Sequence, residues 1–162
     1  MNLLFILEEN ETGPSGVVSV VKNKIENWKK SDFIYVVINK NHWAYNELRR
    51  IKRKNLKIIK LKFKISDEFN INLKKRINFN LLYKLFRLTL IPLEFFQNIR
   101  LFFYLRNIIK KHNIDGIFSH NGGWPGGILN RISILSSVYT NVHTTLIIHN
   151  FPVKKKYYNF FQ

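Results

Sequence analysis

Two segments of this 162-residue chain share a pattern that could do chemistry. Ser119-His120-Asn121 and Ile148-His149-Asn150 each set an imidazole and a carboxamide at the end of a short apolar run. A neutral imidazole can hold a hydroxyl group or take its proton near neutral pH. A lone histidine is usually structural; the same placement at two strand ends points to a site. His120 carries more of that weight because of the glycine-rich stretch beside it. Asn121-Gly122-Gly123-Trp124-Pro125-Gly126-Gly127 holds four of the seven glycines in the chain. Glycine lets backbone amides face a ligand closely, at an entropic cost that a plain connector has no reason to carry. Asn121, Gly122, Gly123, His149 and Asn150 are therefore candidate ligand contacts around His120.

A second loop, Gly13-Pro14-Ser15-Gly16, precedes a helical pattern. A helix N-terminus offers unpaired N–H groups to an anion, which makes Gly13, Ser15 and Gly16 further candidates; a tight turn is the plainer reading. The spacing is not the dinucleotide fingerprint, and no Gly-Lys-Ser/Thr comes after it to make a P-loop. No carboxylate or histidine partner sits at metal-ligand spacing, so a metal is not expected, although Glu8 and Glu9 could approach in space. The absence of cysteine excludes disulfides and thiolate metal sites.

The elements that must position these residues can be read from the apolar pattern. Leu3–Leu7 is a continuous apolar run, as in a strand covered on both faces. Residues 17–28 repeat at helical spacing through Val17, Val20, Val21, Lys24, Ile25 and Trp28. Phe33–Ile38 is a second strand, 44–53 a polar helix, and 56–61, alternating with lysines, a third strand at a sheet edge. Residues 62–77 give no clear pattern. Residues 78–91 and 93–111 read as helices, separated or kinked at Pro92. Gly116–Ser119 is a short fourth strand, a helix runs from Pro125 to about Tyr139, and Thr144–Ile148 is a fifth strand. Strands alternating with helices predict one α/β domain over 1–162. It is Rossmann-like, with a mostly parallel sheet of about five or more strands and helices on both faces. Ligands bind such sheets beyond the carboxyl ends of the strands, so both His-Asn pairs fall on the binding edge. If the two strands are neighbours, the imidazoles lie close together.

The charge is less specific than it first looks. Lys and Arg number 27 against 10 Asp and Glu, a net charge of +17. That suggests an anionic partner, either nucleic acid or a membrane surface. The chain nevertheless holds 19 Lys and 20 Asn with a single Ala, a drift of the whole composition of the kind an AT-rich genome produces. The cations are spread along the chain without a nucleic-acid-binding motif, so no nucleic-acid partner is expected. The basic-aromatic stretch 74–111 is a candidate membrane surface through Lys84, Arg87, Arg100 and Arg106, against the plainer reading of an amphipathic helix with a solvated basic face. The N-terminal apolar run is too short for a signal segment, and charges interrupt 81–105, so neither export nor a spanning helix is expected.

Three segments together resemble a known family. The first strand with Gly13-Pro14-Ser15-Gly16, the stretch 115–127 and Leu146-Ile147-Ile148-His149-Asn150-Phe151-Pro152 look like the N-terminal half of a bacterial family 4 glycosyltransferase of the two-domain GT-B fold. The resemblance implies transfer of a sugar from a nucleotide-sugar to a polysaccharide or lipid-linked acceptor, with retention and without an essential metal. It implies that this half holds the acceptor, that Gly16 lies near donor phosphate or acceptor, and that His120 sits at the reacting centre. Independently of the resemblance, the absence of cysteine fits a cytoplasmic location, and the basic-aromatic stretch would place the protein peripherally on the inner face of the membrane. The family's second domain, which binds the donor through paired glutamates, has no counterpart here. A chain truncated after the fifth strand would bind no nucleotide cofactor of its own. It would need a separate C-terminal donor-domain chain to act, or else serve as a non-catalytic binding subunit.

Overall fold

A computed structural model of the chain describes residues 1–8, 16–65, 80–121 and 127–149. Five strands form one all-parallel sheet: β1 (Asn2–Leu7), β2 (Phe33–Ile38), β3 (Leu56–Lys60), β4 (Gly116–Asn121) and β5 (His143–Ile148). Their order is β3-β2-β1-β4-β5. Between them run α1 (Gly16–Asn27), α2 (Tyr45–Arg49), α3 (Asn80–Lys111) and α4 (Ile128–Val138). The strand sequence steps outward from β1 to β3 and then reverses through β4 to β5. The topological switch point therefore lies between β1 and β4.

Side chains alternate across each strand, and the alternation divides the core. Leu3, Phe5 and Leu7 face α1 and the α2 segment, packing with Val18, Val21, Ile25 and Leu48. Leu4, Ile6 and Ile117 face the other way, against Leu101, Leu105 and Ile109 of α3 and Leu129 of α4. β1 is buried on both faces, as its unbroken apolar run requires, and β3 lies at the edge, where its lysines reach water.

Three expectations need correction. The fourth strand does not stop at Ser119: pairing continues to His120↔Ile147 and Asn121↔Ile148, so the His-Asn pair is the end of β4 and not the loop after it. Of the two readings at Pro92, separation is ruled out, because α3 runs as one helix through Pro92. Proline keeps a helical φ and removes a single donor, and the 32-residue helix has bonded turns on both sides of it. The polar helix is only Tyr45–Arg49, not 44–53.

Arg53, expected in that helix, lies beyond its end and is committed elsewhere. Its guanidinium donates to the carbonyls of Ile25, Trp28, Lys29 and Asp32, at 2.6–3.1 Å. These carbonyls belong to the last turn of α1 and the turn after it, where a helix runs out of backbone donors; that of Lys29 also accepts the Asp32 N–H at 3.1 Å. Arg53→Ala is expected to lower stability by about 2 kcal/mol, read as a lower urea midpoint with unchanged slope. Arg53→Lys should not restore it, because a compact ammonium cannot span four acceptors. An unchanged midpoint for the alanine variant would remove this role.

Both helix-to-strand turns on the α3–α4 face are closed alike. Asn113 and Asn141 take positive φ, 45° and 56°. The next residues then donate back across the turn, Ile114 N–H to Ile109 and Val142 N–H to Ser137. This is the Schellman arrangement, with asparagine in the left-handed position usually held by glycine.

Candidate functional site

The two histidines come together at the carboxyl edge of the sheet. β4 and β5 are neighbours, and His149 lies one residue beyond the end of β5, on the α1 side by alternation. His120 Nδ1 and His149 Nε2 are 3.0 Å apart, one donating and the other accepting, with the rings stacked at 5.3 Å. The backbone N–H of His149 also donates to the Asn121 carbonyl at 3.0 Å, which fixes where the second ring hangs. His120 is fully buried and stacks on Phe5 from its other side, with ring centres 5.7 Å apart. Its Nε2 is buried and has no hydrogen-bond partner among the described residues. His149 is only half-buried, so it is the ring of the pair nearer solvent.

Lys24 completes this cluster. It projects from α1 with its ammonium 4.6 Å from the centre of the Phe118 ring, a cation–π contact. Burial, then the Lys24 charge, then His149 push the His120 imidazole down to about 3. Burial and Lys24 also lower His149. The pair is therefore neutral at pH 7 and shares one hydrogen between the facing nitrogens. When His149 Nε2 holds that hydrogen, its Nδ1 is an acceptor for a ligand hydroxyl.

The opposite face of the same edge is organised by Glu8. One residue past β1, it turns to the α4 side, where its Oε2 accepts the N–H of Leu129 at 2.7 Å and of Asn130 at 3.3 Å. Gly127 precedes α4 and has no side chain to cap it, so the Glu8 carboxylate does so from across the switch point. A Cβ on Gly127 would collide with that carboxylate. Below it, Ser119 Oγ donates to Asn130 Oδ1 at 2.7 Å, and Ser133 Oγ donates to Ser119.

Of the expected site residues, the structure thus joins His120, Asn121 and His149. Gly13, Ser15, Gly122, Gly123 and Asn150 lie outside the described residues. Gly16 is the first residue of α1 and exposed, and an added Cβ there would meet nothing within 4 Å, so packing does not demand a glycine. The basic residues of α3 belong to the other face of the sheet. Arg100 stacks over the Phe63 ring at 4.5 Å and Arg106 is half-buried, while the side chains of Lys84 and Arg87 lie outside those described. Sequence reasoning missed Lys24 and the capping role of Glu8. A lysine inside an apolar helical stripe marked the first; strand parity, which turns Glu8 away from the histidines, marked the second.

Among the described residues no group of three or more His, Asp or Glu side chains could hold a metal ion. No protein-family model matches the sequence, and comparison with curated proteins finds no relative. Solved structures do share the fold. A UDP-GlcNAc 2-epimerase from Neisseria meningitidis bound to UDP-GlcNAc superposes with a TM-score of 0.52 at 11% identity, over 91% of this chain and 32% of that one. A second UDP-N-acetylglucosamine 2-epimerase gives 0.51 at 11% identity, over 99% and 36%. The C-terminal domain of the PF1911 hydrogenase from Pyrococcus furiosus gives 0.50 at 12% identity, over 90% and 89%. The chain thus spans about a third of each epimerase. These likenesses establish a Rossmann-like fold, one that sugar-nucleotide enzymes also use.

Proposed function

We propose that this chain is the acceptor-side half of a retaining glycosyltransferase of the family 4 kind. In this reading it works with a donor-binding domain to move a sugar from a nucleotide-sugar to a polysaccharide or lipid-linked acceptor. The observation that carries the reading is the neutral, hydrogen-bonded imidazole pair at the switch-point edge. Neutral imidazoles suit hydroxyl groups, and an acceptor offers hydroxyls. The Glu8 cap supports the same division of labour. The N-terminus of α4 would otherwise be a ready phosphate seat, and a buried carboxylate already fills it. A pyrophosphate therefore belongs on another domain.

In this mechanism His149 is the catalytic residue. It holds the acceptor hydroxyl through Nδ1 and takes its proton as the new glycosidic bond forms and the bond from the sugar to the donor phosphate breaks. The nucleotide leaves, and the proton passes from His149 to it or to water. His120, expected at the reacting centre, is fully buried behind His149 and in this reading is instead a positioning residue: its contact with His149 Nε2 fixes the ring and its tautomer. Burial, and then the Lys24 charge, keep both rings uncharged between turnovers.

The test is to express the full chain together with the reading frame directly downstream and to supply labelled nucleotide-sugars. Label is expected in a polymeric or lipid-extractable product. His149→Ala should lower kcat on the order of 100-fold with little change in donor KM. Transfer by that variant at the wild-type rate would refute the role of the pair. A nucleotide-sugar returned epimerised, with nothing transferred, would replace transfer by the chemistry of the epimerase neighbours.

A further inference from the structure

Only the last part of α3 is built into the domain. Leu101, Leu105, Ile108 and Ile109 are buried against the sheet. From Leu82 to Arg100 no described side chain is buried. Yet this arm is apolar. Phe95 is 61% exposed, Phe96 67% and Phe103, at its root, 56%. Nor do the exposed apolar residues share one stripe. At 100° per residue, Leu82, Phe86 and Leu93 point one way and Leu88, Ile91 and Phe95 the opposite way. A helix apolar on all sides does not remain in water uncovered. At its root, Ile99, Phe102 and Phe103 line an apolar groove of about 460 Å³ with Ile132, Leu135 and Tyr139 of α4.

Charge identifies what covers it. Lys84, Arg87, Arg100, Arg106, Lys110 and Lys111 lie along α3, and Glu94 is its single acid. A second copy docking on the same surface would set these cations against their own kind. No helix among the described residues is long and apolar enough to cross a membrane. We propose that the α3 arm and the groove at its root dock on an anionic lipid bilayer. The phenylalanines enter the acyl boundary, and the lysines and arginines meet the headgroups. A helix about 10 Å across that sinks roughly 5–10 Å is wetted on little of its circumference, which suits a helix apolar all round. The cations reach back to the headgroups by snorkelling. The basic face expected from the sequence thus becomes the rim of this surface, with the exposed aromatics as its centre.

The proposal stands apart from any catalytic role and is tested on the purified full chain by flotation with vesicles. Vesicles of phosphatidylglycerol with phosphatidylcholine are compared with vesicles of phosphatidylcholine alone, at about 0.1 M and about 0.5 M NaCl. Recovery with the anionic vesicles at low salt should exceed that with the neutral ones by about tenfold and fall at high salt. The double variant Phe95→Ser, Phe96→Ser should reduce anionic recovery about tenfold. Its thermal unfolding should be unchanged, because both side chains are exposed. Equal recovery on the two lipids would overturn the anionic partner. Undiminished recovery of the double variant would overturn the arm as the contact. A well-defined dimer in sedimentation that the double variant dissociates, with no flotation, would assign the surface to a second copy instead.

Discussion

Gly127→Ala is expected to destabilise the protein by about 4 kcal/mol, within the range for stranding one member of a buried charged contact. The backbone is not the reason. Gly127 sits at φ −70° and ψ 167°, extended geometry open to any residue. The obstacle is the Glu8 carboxylate, into which the new Cβ would be driven. Glu8 must then withdraw from the N–H groups of Leu129 and Asn130, in a place where it is only 8% exposed and water cannot replace them. For a chain of this size the loss corresponds to a fall in Tm of about 10 °C. The measurement is urea and thermal unfolding by circular dichroism, in wild-type and Glu8→Ala backgrounds. With Glu8 shortened the added methyl has room, so the penalty should shrink to well under half, a coupling that a double-mutant cycle reads directly. Equal penalties in both backgrounds would mean that the contact with Glu8 is not the cause.

The second large effect is acid lability well above the carboxylate range. Burial holds His120 near a pKa of about 3 and His42 near about 4, against 6.5 for the free side chain. Both environments are built for the neutral ring. His42 Nδ1 accepts the Ala44 N–H at 3.1 Å, and protonation would turn that acceptor into a donor. His120 would gain a charge between Phe5 and His149, with Lys24 already nearby. The unfolded chain binds protons at these positions below pH 6.5 and the native state does not. Stability therefore rises with pH through this window and is lost as pH falls from 6.5 toward the folded values. Each ring contributes a slope of about 1.4 kcal/mol per pH unit. Together they remove about 5 kcal/mol by about pH 4.5, comparable to the whole stability of many domains. Urea midpoints between about pH 8 and about pH 4.5 measure this, and His42→Gln should roughly halve the slope. A midpoint flat across that range would show that neither ring is held neutral by the fold.

The architecture was readable because its signals were local and repeated. Leu3–Leu7 is apolar throughout, so its burial on two faces could be inferred from the run itself, and the alternation of strands with helices implied a parallel sheet. The meeting of His120 with His149 was implied once β4 and β5 were adjacent. Contacts made across long sequence distances stayed hidden. Nothing local to Arg53 says that its partners lie more than twenty residues earlier, so it read as one more polar helical residue. Nothing local to Gly127 says that its close neighbour is Glu8, and its glycine was read as room for a ligand. Asn113 and Asn141 were masked by composition: in a chain with 20 asparagines, two that occupy left-handed turns do not stand out.

The histidine pair has one further consequence, for the alignment of the last strand. His120 is opposite Ile147, and His149 reaches it only because it lies two residues farther on, on the same side of the pleat. A shift of β5 by a single residue would leave every strand paired and yet turn His149 to the α4 face, toward Glu8 and Asn121. The residues that count out this spacing are the turn Thr140–Asn141–Val142, locked by the positive φ of Asn141. The coupling of the two imidazoles is therefore a parity check written into the fold. It holds when the turn has the right length, and it is lost with one residue added or removed far from either ring.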